Sequence, residues 1–204
     1  KRVLLRVDYN VPIHDGQVGD TLRIQQSLDT IHHLLKQGCS LVLISHSGRP
    51  DGKPNPALSL KPVAKKLSQM LGKPVNFVAD CVGEGAVSSA TALKPGEVIL
   101  MENVRFHPGE NSNDPEFAAE LAKLGEVFVD DAFADIHRNH ASIVGVTEYL
   151  PSAAGLLVEK EVATISQALE HPQRPLVAVV GGAKVSTKIG VLQNLKNHVD
   201  KLVV

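Results

Sequence analysis

Short runs of valine, isoleucine and leucine with almost no polar alternation constrain the fold of this chain more than any other feature. A strand that has helices on both faces shows this composition, because neither face meets water, and such strands occur mainly in parallel sheets. Seven runs of this kind are predicted to be strands, at Val3–Val7, Leu41–Ile44, Val75–Val78, Val98–Met101, Val127–Val129, Leu176–Val180 and Leu202–Val204.

Helical patterns lie between these strands. The first pattern follows Thr21, places apolar residues at helical spacing and stops at Gly38, a residue type common just after helix ends. The predicted helices are Leu22–Gln37, Leu60–Leu71, Pro115–Leu124 and Leu157–Glu170. This alternation predicts an α/β fold: a doubly wound, Rossmann-like parallel sheet with helices on both faces and right-handed crossovers.

The segment LPSAAG marks a change of organisation near residue 150. Its proline and glycine interrupt the pattern, one long helix follows, and a new strand begins after Pro172. We expect a first domain over residues 1–155, an interdomain helix or hinge over 156–172, and the first βαβ unit of a second α/β domain over 173–204. Because the chain lacks an initiator methionine and both ends fall on strand-like runs, we also expect a fragment of a longer protein.

Charge and composition exclude several kinds of partner. The 21 basic and 22 acidic residues give a net charge of −1, so no global basic field would hold nucleic acid or an anionic membrane. Aromatic residues make up 3% of the chain, which leaves few platforms for stacking bases. Cys39 and Cys81 lack metal or redox spacing, and no apolar run is long enough to span a bilayer. We expect a cytoplasmic protein with neither nucleic acid nor membrane as partner.

Polar loops follow five of the predicted strands, at the edge where open α/β sheets bind ligands. The loops are DYN (Asp8–Asn10), SHSGRP (Ser45–Pro50), ENVRFH (Glu102–His107), DDAFADIHRNHAS (Asp130–Ser142) and GGAKVSTK (Gly181–Lys188). Together with Arg23 of the first helix they supply Arg49, Arg105, Arg138, His46, His107 and His137. Arginine binds phosphate through two parallel hydrogen bonds, so we predict a focused anion site. The alternative is that these arginines are solvated or pair with acids such as Glu102 or Asp130.

The last of these loops also suits a phosphate, though less specifically. Two glycines after a strand let backbone N–H groups approach an anion at a helix N-terminus, and Lys184 and Lys188 share one face of that helix. Neither a Walker A loop nor G-x-G-x-x-G is present, so a tight turn with two solvated lysines is the alternative. His137 and His140 are three residues apart without a third ligand, and we predict no metal site.

Six segments in this order carry a family resemblance: RVDYNVP, SHSGRPDGKPNPALSLKPVA, ENVRFHPGE, DDAFADIHRNHAS, LPSAAGLLVEKE and GGAKVSTKIGVL. Together they resemble phosphoglycerate kinase over essentially the whole chain. The resemblance implies a glycolytic phosphotransferase with a carboxyl group as acceptor. Such an enzyme moves a phosphoryl group between 1,3-bisphosphoglycerate and Mg-ADP to give 3-phosphoglycerate and Mg-ATP. It also implies in-line transfer after hinge closure and a monomeric full-length protein.

The resemblance implies roles for individual residues. Arg23 and Lys184 would act in catalysis, beside the mobile phosphoryl group. Substrate would be bound by Asp8 and Asn10 at its hydroxyl and carboxylate end, by His46, Arg49, Arg105 and Arg138 at its 3-phosphate, and by Tyr9, Ser47, Gly48 and Arg23 nearby. Nucleotide would be bound by Gly182, Ala183, Lys184 and Lys188. The protein ligand of Mg²⁺ is expected beyond Val204, so we expect the fragment to bind 3-phosphoglycerate without turnover.

The chain departs from the family pattern in three loops. Tyr9 replaces the usual phenylalanine, Ser47 replaces the usual leucine, and Ala134, Asp135 and Ile136 stand in DAFADIHR where DAFGTAHR is usual. Asp135 brings a carboxylate close to the expected phosphate site, where it would lower the affinity or pair with a neighbouring arginine. The residues alone leave two other functions open: a non-catalytic protein that binds small phosphate esters, and a nicotinamide-dependent oxidoreductase built on VAVVGG.

Overall fold

Six parallel strands form the main sheet of the protein, whose computed structural model describes residues 1–181 and 189–204. The first eight strands in chain order are β1 (Arg2–Arg6), β2 (Ile13–His14), β3 (Gln17–Val18), β4 (Ser40–Ile44), β5 (Val75–Val78), β6 (Val98–Met101), β7 (Val127–Asp130) and β8 (Ser152–Ala154). The sheet has the order β5-β6-β4-β1-β7-β8, and every neighbouring pair is parallel. β2 and β3 form a separate antiparallel hairpin. The predicted parallel α/β sheet is therefore confirmed.

Helices cover both faces of this sheet. The first six helices in chain order are α1 (Leu22–Lys36), α2 (Lys61–Leu71), α3 (Gly83–Thr91), α4 (Pro108–Ser112), α5 (Pro115–Ala122) and α6 (Leu156–Glu170), with 3₁₀ turns at Pro56–Leu58, Val104–Phe106, Phe133–Asp135 and Gly145–Glu148. Successive side chains of a strand point to opposite faces. In β1, Val3 and Leu5 accordingly belong to the apolar cluster that includes residues of α1 and α2, whereas Leu4 belongs to a second cluster with residues of α3 and α5. The sheet is doubly wound, as predicted.

The order of the strands reverses at β1. From β1 the chain passes to β4 and to the outer strands β5 and β6 on one side, then returns to β7 on the other side of β1. In open α/β sheets, ligands bind beyond the carboxyl ends of the strands at such a reversal, because the loops diverge there and leave a crevice. The loops after β1, β4 and β7 are therefore well placed to form a site.

The structure adds elements that the apolar pattern did not predict. Asp15 and Gly16, with φ of 51° and 72°, form the tight turn of the β2–β3 hairpin. In α3 only Ala86 and Ala90 are buried, so this helix lacks a stripe of bulky apolar residues. β8 lies in the segment LPSAAG, which the sequence analysis interpreted as a break. Its side chains are exposed, and it is recognisable only by its backbone pairing with β7.

Contacts along the chain define two compact units, residues 1–159 and 160–204. The described part of the second unit contains β9 (Val177–Val179), α7 (Ile189–Leu195) and β10 (Lys201–Val203), and β9 pairs with β10 in parallel. A parallel pair with a helix between its strands is the βαβ unit that the sequence predicts. None of the described helices is long and apolar enough to cross a membrane.

Asp131 connects the end of β7 to the start of α6. Its Oδ1 accepts a hydrogen bond from Leu157 N at 2.9 Å, whereas its buried Oδ2 has no partner among the residues that the structure describes. Gly155 leaves room for this carboxyl group, since a Cβ there would lie 2.2 Å from Asp131 Oδ1. Burial raises the pKa of Asp131 to about 6.

The contribution of Asp131 to stability is expected to fall as the pH rises. Its folded-state pKa of about 6 exceeds the unfolded value, so the contribution is complete below the unfolded pKa and is lost as the pH rises through 6. A shift of this size corresponds to roughly 2–3 kcal/mol in the free energy of unfolding. Urea unfolding of the wild type and Asp131→Asn between pH 4.5 and 7 measures it. A difference in stability that stays constant over this range would contradict the prediction.

Candidate functional site

Five side chains from four segments of the chain meet at the carboxyl edge of the sheet. Arg6 ends β1, His46 follows β4, Arg105 lies in the 3₁₀ turn after β6, and Asp135 and Arg138 follow β7. We call these five residues the basic cluster. They converge because β1 lies between β4 and β7 in the sheet, although more than 80 residues separate Arg138 from His46 in the chain.

Arg6 forms the base of the basic cluster and is fully buried. Its Nε donates to Ser142 Oγ at 3.0 Å, its Nη1 donates to the carbonyl of Val7, and its Nη2 lies 3.4 Å from Asp135 Oδ2. A buried guanidinium requires such partners, because an unpaired charge away from water is costly. Arg6 is not among the site residues predicted from the sequence. The single arginine within the predicted apolar run Val3–Val7 was the signal that could have found it.

Asp135 lies at the centre of the basic cluster, with 2% of its surface exposed. Its Oδ1 accepts a hydrogen bond from Arg138 Nε at 2.8 Å, and its Oδ2 lies 3.2 Å from His46 Nδ1. Burial opposes ionisation of Asp135, but the hydrogen bond with His46 and the charge of Arg6 outweigh it. They hold the pKa of this carboxyl below its usual range. Asp135 therefore pairs with neighbouring arginines, one of the two outcomes that the sequence analysis considered.

Arg105 has a buried donor that lacks an acceptor. The residue is 5% exposed, and its Nη1 donates to the carbonyl of Gly48 at 2.9 Å. Its buried Nε has no hydrogen-bond partner within residues 1–181 and 189–204. Burial lowers the pKa of Arg105, although nearby Asp135 acts in the opposite direction. Arginine nonetheless stays charged in proteins. Because buried donors are nearly always paired, this one is available to an acceptor from outside the described residues.

Asn103 fixes the loop that carries Arg105. Its Oδ1 accepts from the backbone N–H of Arg105 at 3.1 Å, and its Nδ2 donates to the carbonyl of Ser47 at 2.8 Å. Gly48 has a φ of 60°, which favours glycine, and its N–H donates to Asn10 Oδ1 at 2.9 Å. Since the Gly48 carbonyl accepts from Arg105, the backbone of this glycine joins the loops after β1, β4 and β6.

The other predicted substrate residues surround the basic cluster in different environments. Asp8 and Arg23 form an ion pair, in which 44% of the Arg23 side chain is exposed. Arg49 is exposed and makes no ion pair in the described part of the chain. Tyr9 is fully buried in the apolar core, where its hydroxyl lies 2.9 Å from Ser27 Oγ. The side chain of Tyr9 therefore lies in the core, and its backbone N–H donates to Ser45 Oγ at 2.8 Å.

Glu110 supports the basic cluster through Ser142. Its Oε2 accepts from Ser142 N at 2.9 Å and its Oε1 accepts from Ser142 Oγ at 2.7 Å, while His140 Nδ1 lies 3.5 Å from Oε1. Ser142 Oγ in turn accepts from Arg6 Nε. Burial opposes ionisation of Glu110, but His140 and the charge of Arg6 hold its pKa below the usual range. This buried chain of hydrogen bonds holds the Arg6 guanidinium in place, and no sequence motif predicted it.

Two histidines of the predicted site do not join the basic cluster. His107 Nε2 lies 2.7 Å from Asp80 Oδ1, and its ring stacks on a phenylalanine. His137 is exposed to solvent. Glu102, which the sequence analysis considered as a partner for arginine, instead accepts hydrogen bonds from Ser59 and from the backbone at the start of α2.

The predicted nucleotide-binding residues lie outside the described residues. They are Gly182, Ala183, Lys184 and Lys188. Lys184, also predicted to act in catalysis, shares this outcome. The predicted roles of these four residues therefore stay predictions.

The described residues do not fit the Mg²⁺ that the family resemblance implies. Two groups place three possible ligand atoms within 4.8 Å of one another, namely Asp80, Cys81 and His107, and Asp8, His46 and Asp135. Mg²⁺ prefers an octahedron of oxygen ligands, whereas each group includes histidine and one includes cysteine. The carboxylates of Asp8 and Asp135 also pair already with arginines. We therefore assign no step to a metal held by these residues.

Comparisons with known proteins agree on one family. The chain matches the family model of phosphoglycerate kinase over residues 1–204. It is 54% identical to the phosphoglycerate kinase of Moorella thermoacetica and 52% identical to that of Chlorobium phaeovibrioides, over the whole of this chain and 52% of each relative. The chain thus spans about half the length of the curated relatives that it matches.

Solved structures give the same result. Phosphoglycerate kinase from Coxiella burnetii superposes with a TM-score of 0.86 at 46% identity, covering 98% of this chain and 50% of that one. The enzyme from Pyrococcus horikoshii superposes with a TM-score of 0.89 at 33% identity, covering 99% of this chain and 52% of that one. With its doubly wound sheet, its basic cluster and a family match along its entire length, the chain belongs to the phosphoglycerate kinase family.

Proposed function

We propose that the basic cluster binds 3-phosphoglycerate and that the chain forms the substrate-binding part of a phosphoglycerate kinase. The reaction is phosphoryl transfer between 1,3-bisphosphoglycerate and Mg-ADP, giving 3-phosphoglycerate and Mg-ATP. One observation carries the proposal: the buried Nε of Arg105 lacks an acceptor among the described residues, in a cluster rich in cations. A phosphate oxygen would complete its contacts through a charge-assisted hydrogen bond.

The balance of charges supports a multiply charged ligand. 3-Phosphoglycerate carries about three negative charges near neutral pH, since the second pKa of a phosphate ester is about 6. Arg6 and Arg138 share the single carboxylate of Asp135, while Arg49 and Arg105 form no ion pair within the described ranges. The site therefore has an excess of positive charge in a chain whose net charge is −1. A small anion with a dianionic end suits this excess better than a neutral molecule does.

The proposed roles of the individual residues are those that the family resemblance implies. His46, Arg49, Arg105 and Arg138 bind the 3-phosphate, and Asp8 and Asn10 bind the hydroxyl and carboxylate end. Tyr9, Ser47 and Gly48 belong to the loops that present these side chains, and Asn10 and Asn103 bond to the backbone of Gly48 and Ser47. Arg23 lies near the carboxyl group that carries the mobile phosphoryl.

We assign binding of the nucleotide and its Mg²⁺ to residues that follow the substrate-binding part of the chain. Gly182, Ala183, Lys184 and Lys188 would contact the nucleotide, and Lys184 would follow the mobile phosphoryl group. The Mg²⁺ of Mg-ADP would be held by protein residues beyond Val204. Phosphoryl transfer depends mainly on positioning and on stabilisation of charge, so the reaction needs no nucleophile with an adjacent base.

We further propose domain closure as the step that aligns the two substrates. A substrate domain over residues 1–155 and a nucleotide domain beginning at 173 would approach each other about the segment 156–172. Closure would expel water from the reacting groups. On its own, the 204-residue chain is then expected to bind 3-phosphoglycerate without catalysing its phosphorylation.

Calorimetric titration of the chain tests this function. We expect saturable binding of 3-phosphoglycerate at a single site and no ADP formation from ATP in its presence. Glycerate lacks the phosphate and should bind far more weakly, because it cannot reach the basic cluster with a dianion. Glycerol 3-phosphate lacks the carboxylate, and equal affinity for this compound would favour a general phosphate-ester binding protein. A folded chain that binds no 3-phosphoglycerate would refute the proposal.

A further inference from the structure

His46 Nδ1 lies between a carboxylate oxygen and a guanidinium nitrogen. It is 3.2 Å from Asp135 Oδ2 and 3.1 Å from Arg6 Nη2, and these two atoms are 3.4 Å from each other. An ionised carboxylate only accepts hydrogen bonds and a guanidinium only donates them. The position of one proton on the His46 ring therefore decides how the three groups satisfy one another.

A proton on Nδ1 satisfies all three groups. Nδ1–H then donates to Asp135 Oδ2, and Arg6 Nη2 donates to the same oxygen, which has two lone pairs. Without that proton, Nδ1 could accept from Arg6 Nη2 at 3.1 Å, but its lone pair would then face a lone pair of the Asp135 carboxylate at 3.2 Å. The hydrogen-bond network thus assigns the neutral ring to the Nδ1–H form, which leaves Nε2 unprotonated.

An unprotonated Nε2 cannot donate a hydrogen bond to a phosphate. A phosphate oxygen accepts hydrogen bonds, so His46 can bind it only as an imidazolium with protons on both nitrogens. Burial lowers the pKa of His46, and the free site accordingly favours the neutral ring. A bound dianion would reverse this preference, because it stabilises the positive charge beside it.

We propose that Asp135 holds His46 in the Nδ1–H form and thereby couples binding of the phosphate ester to uptake of a proton by His46 Nε2. The proton comes from solvent when the ligand binds and returns to solvent when it leaves. This inference rests on the proposed function, since it takes His46 as a phosphate ligand. Asp135 is buried and acts through His46 as a positioning residue.

Some of the charged groups around His46 favour its imidazolium form and others disfavour it. Arg6 of β1 and Arg105 after β6 disfavour an imidazolium, whereas Asp135 after β7 favours it. Asp8 after β1 brings a second carboxylate within 4.8 Å, although this carboxylate also pairs with Arg23. Because these contributions oppose one another, a ligand with two negative charges can determine whether His46 is neutral or an imidazolium.

Asp135 also positions Arg138. The carboxylate takes the Nε–H of Arg138, and the two terminal nitrogens of that side chain make no hydrogen bond within the described residues. One buried carboxylate thus engages the inner nitrogen of both side chains, His46 Nδ1 and Arg138 Nε. His46 Nε2 and the two terminal nitrogens of Arg138 are left to bind the ligand.

Proton uptake can be measured by titrating 3-phosphoglycerate at pH 7.5 in HEPES and in Tris. The dependence of the binding enthalpy on the ionisation enthalpy of the buffer gives the number of protons taken up. We expect uptake in the wild type and an affinity that weakens by up to about 10-fold from pH 7 to pH 8, the limit for one coupled proton. The ester stays dianionic in this range, so the ligand's own titration adds little.

Asp135→Asn is expected to remove the coupling. The asparagine amide can donate to Nδ1, so the neutral ring can carry its proton on Nε2 and bind phosphate without taking up another. Proton uptake should fall toward zero, and the change in affinity between pH 7 and 8 should disappear. Asp130→Asn is the matched control, because Asp130 ends β7 just before the loop of Asp135, accepts from Ala132 N and makes no contact with His46 in the described part. Equal proton uptake by wild type and Asp135→Asn would overturn the proposal.

The ring proton can also be located without a ligand. Long-range ¹H–¹⁵N NMR of the free wild-type chain distinguishes the two neutral forms of His46. Nδ1–H is expected, and Nε2–H would overturn the inference even if Asp135→Asn failed to fold. Failure of the wild type to bind 3-phosphoglycerate would instead contradict the proposed function, so the two failures are distinguishable.

Discussion

Replacement of Arg105 by methionine is expected to weaken 3-phosphoglycerate binding by about 1.5–3 kcal/mol, or roughly 10- to 150-fold, the contribution typical of a hydrogen bond to a charged group. Arg105 is the residue of the site whose donor is both buried and unpaired among the residues described. Water competes poorly for such a donor, so a ligand gains more from it than from an exposed arginine. Methionine retains much of the apolar stem and removes the guanidinium. Calorimetric titration gives the change in affinity.

Arg2→Met is the matched control for this experiment. Arg2 lies at the amino end of β1, where its Nε donates to the Leu124 carbonyl at 2.8 Å, so its loss removes one charge at the opposite edge of the sheet. Binding should be almost unchanged. Arg49→Met should have a smaller effect than Arg105→Met, because Arg49 is exposed and water screens its charge. A folded Arg105→Met chain with wild-type affinity would exclude Arg105 from the site.

The apolar pattern was sufficient to predict five of the six strands of the main sheet. Leu41–Ile44 and Val98–Met101 are strands as predicted, because strands covered on both faces tolerate few polar residues. The same pattern did not predict elements that are short and exposed or that are built from small residues. α3 is built largely from glycine, alanine and serine, and β8 is exposed, so neither contains the bulky apolar periodicity that marks a buried element.

The candidate site was only partly predictable from the sequence. Strand order could place Arg105 and Arg138 at one edge, since loops at the carboxyl ends of parallel strands converge. The sequence could not show that Arg6 crosses from β1 to Ser142, a contact between residues 136 positions apart. It also could not decide whether Asp135 opposes a phosphate or pairs with arginines. That outcome depends on side-chain directions in a loop without regular secondary structure beyond one 3₁₀ turn.

Replacement of Arg6 by methionine is expected to destabilise the fold by about 3–5 kcal/mol, the usual effect of removing one partner from a buried ion pair. Ser142 and the Val7 carbonyl would each lose a donor, and Asp135 would lose one of its compensating charges. Arg138 and His46 still contact Asp135, so the effect should fall toward the lower end of this range. Urea unfolding of the two proteins measures the free-energy difference.

A double-mutant cycle separates the ion pair from the other contacts of Arg6. Asp135→Asn removes the carboxylate charge while keeping nearly the same shape, and Arg6→Met with Asp135→Asn removes both charges. When Arg6 is absent, the Asp135 charge stays buried without this partner. If that is the main reason why Arg6→Met destabilises the fold, the loss in stability of the double variant should be smaller than the sum of the losses of the two single variants. Arg2→Met controls for loss of a charge from β1. Strict additivity would mean that Arg6 stabilises the fold through Ser142 and Val7 alone, and that the contact at 3.4 Å contributes nothing measurable.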